Sequence, residues 1–135
     1  MHIQLFLPQF QNSIQKYDNC ELVPLTTLPT IKEATCKFIH LGNCCDFVQT
    51  NEVIIEATKK LRYGGKLLIE GTDLIEVMYA LFRNVLTLEN VQQLLFMGRY
   101  SCSTLEQMEN LLKQLGLKIV KKRLFQYRYS ITAER

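Results

Sequence analysis

The chain has 135 residues, of which 47% are hydrophobic and 21% are charged, and its formal net charge is +3 at pH 7. These values predict one globular domain with a real hydrophobic core and argue against a disordered chain. The mild positive charge does not by itself indicate a nucleic-acid partner, because nucleic-acid-binding domains concentrate more charge on one face.

The five cysteines (Cys20, Cys36, Cys44, Cys45 and Cys102) are odd in number and lack the spacing of a disulfide framework. Together with an N-terminus that has no signal-peptide pattern, this predicts free thiols and a cytoplasmic location. No apolar run reaches the roughly 18 residues that span a bilayer, so we expect no membrane segment.

The first half of the chain predicts four strands and one helix. Apolar alternation predicts strands at residues 2–7, which Pro8 ends, and at residues 34–41, which Gly42 and Asn43 end. Residues 21–25 are a further short strand candidate. A helix is predicted at residues 51–62, with Asn51 as its N-cap and Gly64 beyond its end. The unbroken apolar run in the next strand, residues 66–70, is typical of a strand covered on both faces.

The second half predicts three helices followed by two strands. One helix, with Asp73 as its N-cap and Glu76 as the capping-box partner, runs to about Phe82. A second begins after Thr87 and ends near Met97 and Gly98. The third covers residues 104–115 with Ser103 as its cap. The last two strands, at residues 117–124 and 126–133, must pair antiparallel because so few residues separate them. This order predicts an α/β fold, a mixed sheet with helices on both faces and a C-terminal antiparallel hairpin.

Residues 36–135 resemble the second half of a class I S-adenosylmethionine-dependent methyltransferase. FIHLGNCCDFV (38–48) resembles the family's fourth strand and the turn after it. EATKKLRYGGKLLI (56–69) is similar to the family's helix and fifth strand, with Arg62 and Tyr63 in place of the Lys-Pro of an LKPGG turn. Residues 103–117 and 131–135 resemble the last helix and the terminal hairpin. The resemblance implies one truncated Rossmann-like domain over residues 1–135, of which residues 1–35 are divergent.

The resemblance also implies where a cofactor would bind, and there the chain departs from the family. The family holds S-adenosylmethionine through a Gly-x-Gly-type turn after its first strand and an acidic residue after its second. Here no glycine precedes Gly42, and neither Asp18 nor Glu21 follows a convincing strand. Residues 1–35 are too few for two crossover units of about 30 residues each. We therefore expect the cofactor-binding half to be missing and no cofactor to bind.

Polar residues at the carboxyl ends of two predicted middle strands are the candidates for a site. The candidates for catalysis are Asn43 and Asp46, although a simple turn at Gly42 and Asn43 is the favoured interpretation. The candidates for cofactor binding are Glu70, Thr72 and Asp73, because open α/β sheets place ligands at this edge.

Two other features favour structural interpretations over chemistry. His40 lies on an apolar strand, so we expect a packed residue rather than a general base. The adjacent Cys44 and Cys45 lack the ligand spacing of a tetrahedral metal site, so no metal is expected.

Two surfaces suggest partners. The C-terminal hairpin carries five basic residues, which favour a solvated sheet edge over a nucleic-acid surface: Lys118, Lys121, Lys122, Arg123 and Arg128. Residues 74–97 hold more apolar side chains than one face of a small sheet can cover, which favours core plus an oligomer surface. We expect the N-terminal strand to complete an exposed sheet edge, within its own chain or by exchange with a neighbour.

The sequence therefore predicts a degenerate, non-catalytic methyltransferase-like domain, a pseudoenzyme that acts as a self-associating structural or adaptor protein. Its small size and loss of motifs are typical of accessory proteins of viruses and phages. The alternative is an active, small S-adenosylmethionine-dependent methyltransferase with a shortened or intersubunit cofactor site. A third hypothesis is a nucleic-acid accessory protein that uses the basic hairpin.

Overall fold

The computed structural model describes residues 1–97, 99 and 101–135, except for the side chain of Asn43. Within these residues six strands form one mixed sheet: β1 (His2–Phe6), β2 (Glu21–Pro24), β3 (Cys36–Gly42), β4 (Leu61–Thr72), β5 (Lys118–Phe125) and β6 (Arg128–Glu134). Their order across the sheet is β2-β1-β3-β4-β6-β5. Strands β2, β1, β3 and β4 run parallel, and β6 and β5 form the antiparallel end. The predicted mixed α/β sheet with a C-terminal antiparallel hairpin is confirmed.

The helices lie close to where the sequence predicts them. They are α1 (Thr50–Lys60), α2 (Leu74–Phe82), α3 (Leu88–Phe96) and α4 (Leu105–Gln114). Three short 3-10 helices cover Pro8–Ser13, Leu25–Thr30 and Asn43–Asp46. The predicted end of α3 near Gly98 falls partly outside the described residues, and α3 itself ends at Phe96. None of the helices in the described part of the chain is long and apolar enough to cross a bilayer.

Three details of the helix starts differ from the prediction. Helix α1 begins at Thr50, so Asn51 is inside the helix and not its N-cap. Helix α4 is capped by Thr104 instead of Ser103, because the hydroxyl of Ser103 lies 3.0 Å from that of the buried Tyr129. Asp73 caps α2 as predicted, but its own N–H donates to the carbonyl of Tyr127, so Glu76 does not complete a capping box.

Strand β1 lies inside the sheet, with both of its edges paired in its own chain. Ile3 is opposite Glu21 of β2 on one side and Ile39 of β3 on the other. The segments before and after β2 contain 3-10 helices where a longer crossover would have an α-helix. Residues 1–35 therefore supply the outer parallel strands of the sheet, and β2, which contains Pro24, is the edge strand.

The middle of the sheet is covered on both faces. Leu67, Leu68 and Ile69 of β4 are all buried, as the unbroken apolar run predicts. Strand β6 alternates between buried and half-buried residues, with Tyr129, Ile131 and Ala133 pointing into the core. Strand β5 is exposed along most of its length at the other edge of the sheet. Its lysines therefore lie on an edge strand, as the sequence predicts.

Candidate functional site

A cavity of about 840 Å³ opens at the carboxyl ends of the parallel strands. Its walls are formed by the ends of β1 and β3, by Glu70 of β4, and by the connection from β1 to β2, chiefly residues 13–18. Parallel strands end at the same edge of a sheet, and that edge is where open α/β folds bind ligands. The volume lies within the range of small-molecule sites.

The floor of the cavity contains a histidine–carboxylate pair. His40, only 6% exposed, has its Nε2 3.1 Å from Oε1 of Glu70. The hydrogen bond from His40 is the main reason why the pKa of Glu70 is lowered, against the opposing effect of burial. The other ring nitrogen, Nδ1, is buried without a hydrogen-bond partner in the described part of the chain. A carboxylate can only accept, so Nε2 of His40 is the donor of the hydrogen bond to Glu70.

Aromatic rings line the mouth of this cavity. The ring of Tyr17 lies against His40, with 4.7 Å between the ring centroids. Phe10 contacts Phe47 in the same way at 4.8 Å. His40 is therefore packed, as expected from its apolar strand, but it is also paired with a carboxylate beside a cavity. The sequence analysis did not predict that second property.

Gln4 holds the cavity wall in place from the centre of β1. Its Nε2 donates to the carbonyl of Gln15 at 2.9 Å, and its Oε1 accepts from the N–H of Tyr17 at 2.6 Å. The buried amide thus satisfies two backbone groups of a segment that has no regular structure. A polar residue on the core face of a strand was the sequence signal for this role.

The fold brings together Asp46 and Thr72, two of the predicted site residues. Both bind Arg99, and neither lines the cavity. Arg99 NH1 donates to Oδ2 of Asp46 at 2.7 Å and to the hydroxyl of Thr72 at 3.1 Å. Asp46 is 2% exposed, and burial raises its pKa although Arg99 opposes the shift. This buried ion pair joins the turn after β3 to the end of β4, which is a structural function.

Asp73 is likewise occupied. Its Oδ1 accepts from the N–H of Glu76 in α2, at 3.0 Å, and its Oδ2 accepts from the N–H of Leu105 in α4, at 2.8 Å. One carboxylate therefore caps two helices. Of the five candidates, only Glu70 lines the cavity with a described side chain, and the side chain of Asn43 lies outside the described part.

The cysteines near the site are poor nucleophiles. Burial raises the pKa of Cys44 to about 11, and it raises that of Cys45 further still. The thiolate is the reactive form, so neither residue is activated. Among the residues that the structure describes, no three His, Cys, Asp or Glu side chains are grouped so that they could hold a metal ion.

The turns after β1 and β2 do not fit S-adenosylmethionine in the way that the resemblance implies. Pro8, directly after Leu7, has no N–H to donate, and the N–H of Phe10 already donates to the carbonyl of Leu7 at 2.9 Å. The residues after β2, Leu25–Thr30, include no carboxylate that could accept from a ribose. Neither of these two turns thus offers the glycine-rich backbone or the acidic residue of a dinucleotide-type site.

Comparison with known proteins gives structural matches only, since no family model and no curated protein matches the sequence. An O-methyltransferase family protein from Burkholderia thailandensis is 16% identical, with a TM-score of 0.62 over 86% of this chain and 36% of that one. A methyltransferase described as a possible histamine N-methyltransferase, from Thermotoga maritima, is 14% identical, with a TM-score of 0.59 over 85% of this chain and 63% of that one. An S-adenosylmethionine-dependent methyltransferase from Mesorhizobium loti is 12% identical, with a TM-score of 0.62 over 86% of this chain and 68% of that one.

These matches establish the architecture. The matched part of the chain is longer than residues 36–135. The structural likeness therefore extends into the first 35 residues. The chain spans only about a third to two thirds of the length of the first two proteins. Sequence identities this low support a shared fold but do not indicate a shared activity. The chain has a class I S-adenosylmethionine-dependent methyltransferase-like fold.

Proposed function

We propose that this protein is a methyltransferase-like domain without methyl-transfer activity, which acts by binding as a self-associating structural or adaptor protein. The observation that carries the proposal is an apolar surface on α2, α3 and the turn between them, here called the helix-pair surface. It consists of seven large side chains that remain exposed: Ile75, Tyr79, Phe82, Val85, Leu88, Phe96 and Met97.

The spacing of these residues places them on helix faces that the core does not cover. Ile75, Tyr79 and Phe82 follow one another at intervals of four and three, so they share one face of α2. Phe82 is 80% exposed and Phe96 of α3 is 77% exposed. Fully exposed side chains of these types offer about 150–200 Å² each, and these seven are 48% to 80% exposed, so together they present roughly 800 Å². That is about the area that each partner contributes to a standard protein interface.

The charges on this surface favour a protein partner, and a second copy in particular. Arg83 lies over the ring of Tyr79 at 5.5 Å, and Glu89 is exposed near the start of α3. A surface with few charges, of both signs, does not repel an identical surface when two copies meet about a two-fold axis. It also lacks the cluster of lysines and arginines that attracts proteins to anionic membranes.

The cavity edge supports the binding-only part of the proposal. Asp46 and Thr72 are engaged with Arg99, and Asp73 caps two helices. In the turn after β1, Pro8 has no N–H and the N–H of Phe10 is already paired, so neither can bind the cofactor. Most of the predicted polar site residues at this edge therefore stabilise the fold.

The mass of the protein in solution tests self-association. At about 50 µM, above the micromolar Kd that an interface of this size commonly reaches, light scattering should give at least twice the 15.8 kDa chain mass. The double variant Phe82→Lys, Phe96→Lys should be monomeric. The matched control is Phe125→Lys, which changes an equally exposed phenylalanine on β5 and should leave the mass unchanged. A monomeric wild-type protein would refute self-association.

A second candidate function is an active methyltransferase with a shortened or intersubunit cofactor site. It is favoured by the cavity and by the His40–Glu70 pair, because a histidine held by a carboxylate beside a cavity is an arrangement that general bases use. Calorimetry with S-adenosylmethionine and its demethylated product distinguishes the two functions. Micromolar binding of either compound would favour the enzyme and refute the binding-only proposal, and no binding at millimolar concentration would refute the enzyme.

A further inference from the structure

We propose that the cavity at the carboxyl ends of β1, β3 and β4 binds a small organic amine, with its ammonium group at Glu70 and its flat apolar body against the aromatic rings of the mouth. This site is independent of the helix-pair surface. Its ligand also differs from the cofactor of the fold's relatives, which the turn after β1 is not built to hold.

The first argument is charge: Glu70 lines the cavity with one carboxylate oxygen unused. Its Oε1 contacts His40, and no hydrogen bond reaches Oε2 from the described residues. Of the cations on the cavity wall, Arg99 is bound to Asp46, and Lys16 makes no ion pair within the described chain. His40 and Arg128 both lower the pKa of Glu70, so the group is a carboxylate at neutral pH. A carboxylate with an unused oxygen in this position is complementary to a ligand ammonium group.

The second argument is the aromatic mouth. Tyr17 and Phe10 are both partly exposed on the segment that covers the cavity, and Phe47 lies opposite Phe10. Aromatic faces attract cations and pack against flat rings. The face of Phe47 is already occupied by the Arg99 guanidinium at 5.4 Å, so Tyr17 and Phe10 are the rings that remain for a ligand.

The third argument is that the wall is fixed in advance. The buried Gln4 holds residues 15 and 17 through two hydrogen bonds, and Tyr17 is in turn packed on the buried His40. A preorganised site loses little conformational entropy when a ligand binds.

Calorimetry with two probes of opposite charge tests the proposal. Tyramine and 4-hydroxyphenylacetate have the same ring, and only tyramine carries an ammonium group. We expect tyramine to bind with a Kd at least about tenfold lower than that of the acid, because a charge-assisted hydrogen bond distinguishes them. Equal affinity for the two probes, or binding of neither at millimolar concentration, would overturn the proposal.

Variants then locate the site. Glu70→Gln keeps an acceptor for His40 but removes the charge, and it should weaken tyramine binding about tenfold or more. The matched control, Glu109→Gln, removes a partly buried carboxylate that pairs with Lys113 and Lys122 outside the cavity lining, and it should leave binding unchanged. Thermal unfolding confirms that both variants are folded. Unchanged binding by a folded Glu70→Gln protein would overturn the assignment, as would a site that accepts S-adenosylmethionine and rejects tyramine.

Discussion

Replacing Asp73 distinguishes a structural carboxylate from a cofactor ligand, the role for which the sequence made it a candidate. In Asp73→Ala, α2 and α4 lose a cap at the same time, because the two carboxylate oxygens accept from the N–H groups of Glu76 and Leu105. Asp73→Asn keeps one side-chain oxygen as an acceptor. The NH₂ group that replaces the other oxygen cannot accept a hydrogen bond from the second backbone N–H.

The size of the effect follows from these two hydrogen bonds. An N-cap contributes about 1 kcal/mol, and an unsatisfied buried donor costs about 1–3 kcal/mol. Asp73 is 4% exposed, so water does not readily replace it. We expect Asp73→Ala to lower the free energy of unfolding by about 2–4 kcal/mol and Asp73→Asn by about half as much. For a chain of this length, 1 kcal/mol corresponds to roughly 3–5 °C in Tm, so the alanine variant should melt about 10 °C lower.

Urea unfolding followed by circular dichroism measures both variants against a single-cap control. Thr87→Ala removes the exposed cap of α3, where the hydroxyl accepts from the N–H of Asn90 at 3.2 Å, and should cost about 1 kcal/mol or less. The order of destabilisation should be Asp73→Ala, then Asp73→Asn, then Thr87→Ala. An Asp73→Ala protein as stable as wild type would refute the shared-cap reasoning and would return Asp73 to the list of ligand-binding candidates.

Three further predictions concern packing, pH and thiol chemistry. A Cβ on Gly71 would lie 2.6 Å from the hydroxyl oxygen of the buried Tyr129, so Gly71→Ala should cost on the order of 3 kcal/mol in urea unfolding. Gly116→Ala, which meets no atom within 4 Å but has φ +82°, should cost only about 1 kcal/mol; equal costs would contradict the clash. Because the pKa of Glu70 is lowered in the folded state, its stabilising effect is present above its ordinary pKa and is lost as pH falls through the folded value. Wild type should therefore lose more stability than Glu70→Gln between about pH 5 and 3, and parallel pH profiles would count against the pair. Cys44 and Cys45 should resist iodoacetamide at about pH 7.5 until the protein is unfolded, and peptide mass spectrometry that finds rapid native labelling would disprove it.

The candidate site was only partly accessible from the sequence. Glu70 was identified because it ends an unmistakable buried strand, and that reasoning needs only local pattern. Asp46, Thr72 and Asp73 were selected for the same reason, but they are engaged by Arg99 and by the start of α4, which lie far away in sequence. Nothing in the local sequence indicates which polar side chain at a strand end has such a distant partner.

The other half of the cavity could not be predicted at all. Gln4 and Tyr17 lie in the first 35 residues, which match no motif, and their roles arise only because β1 pairs with β3 in the middle of the sheet. His40 was correctly placed on a strand and correctly expected to be packed. Its pairing with Glu70 depends on the register between β3 and β4, which is a property of the assembled sheet.

The sequence by itself determined the elements, their order and the class of fold. Apolar periodicity, caps and glycine turns act over a few residues, so they can be read without knowledge of distant contacts. Only the tertiary structure decided that residues 1–35 complete the parallel sheet, that three of the predicted site residues serve the fold, and that a cavity remains at Glu70. These outcomes depend on which distant strands become neighbours, and strand pairing is set by the burial of whole faces and not by any single segment.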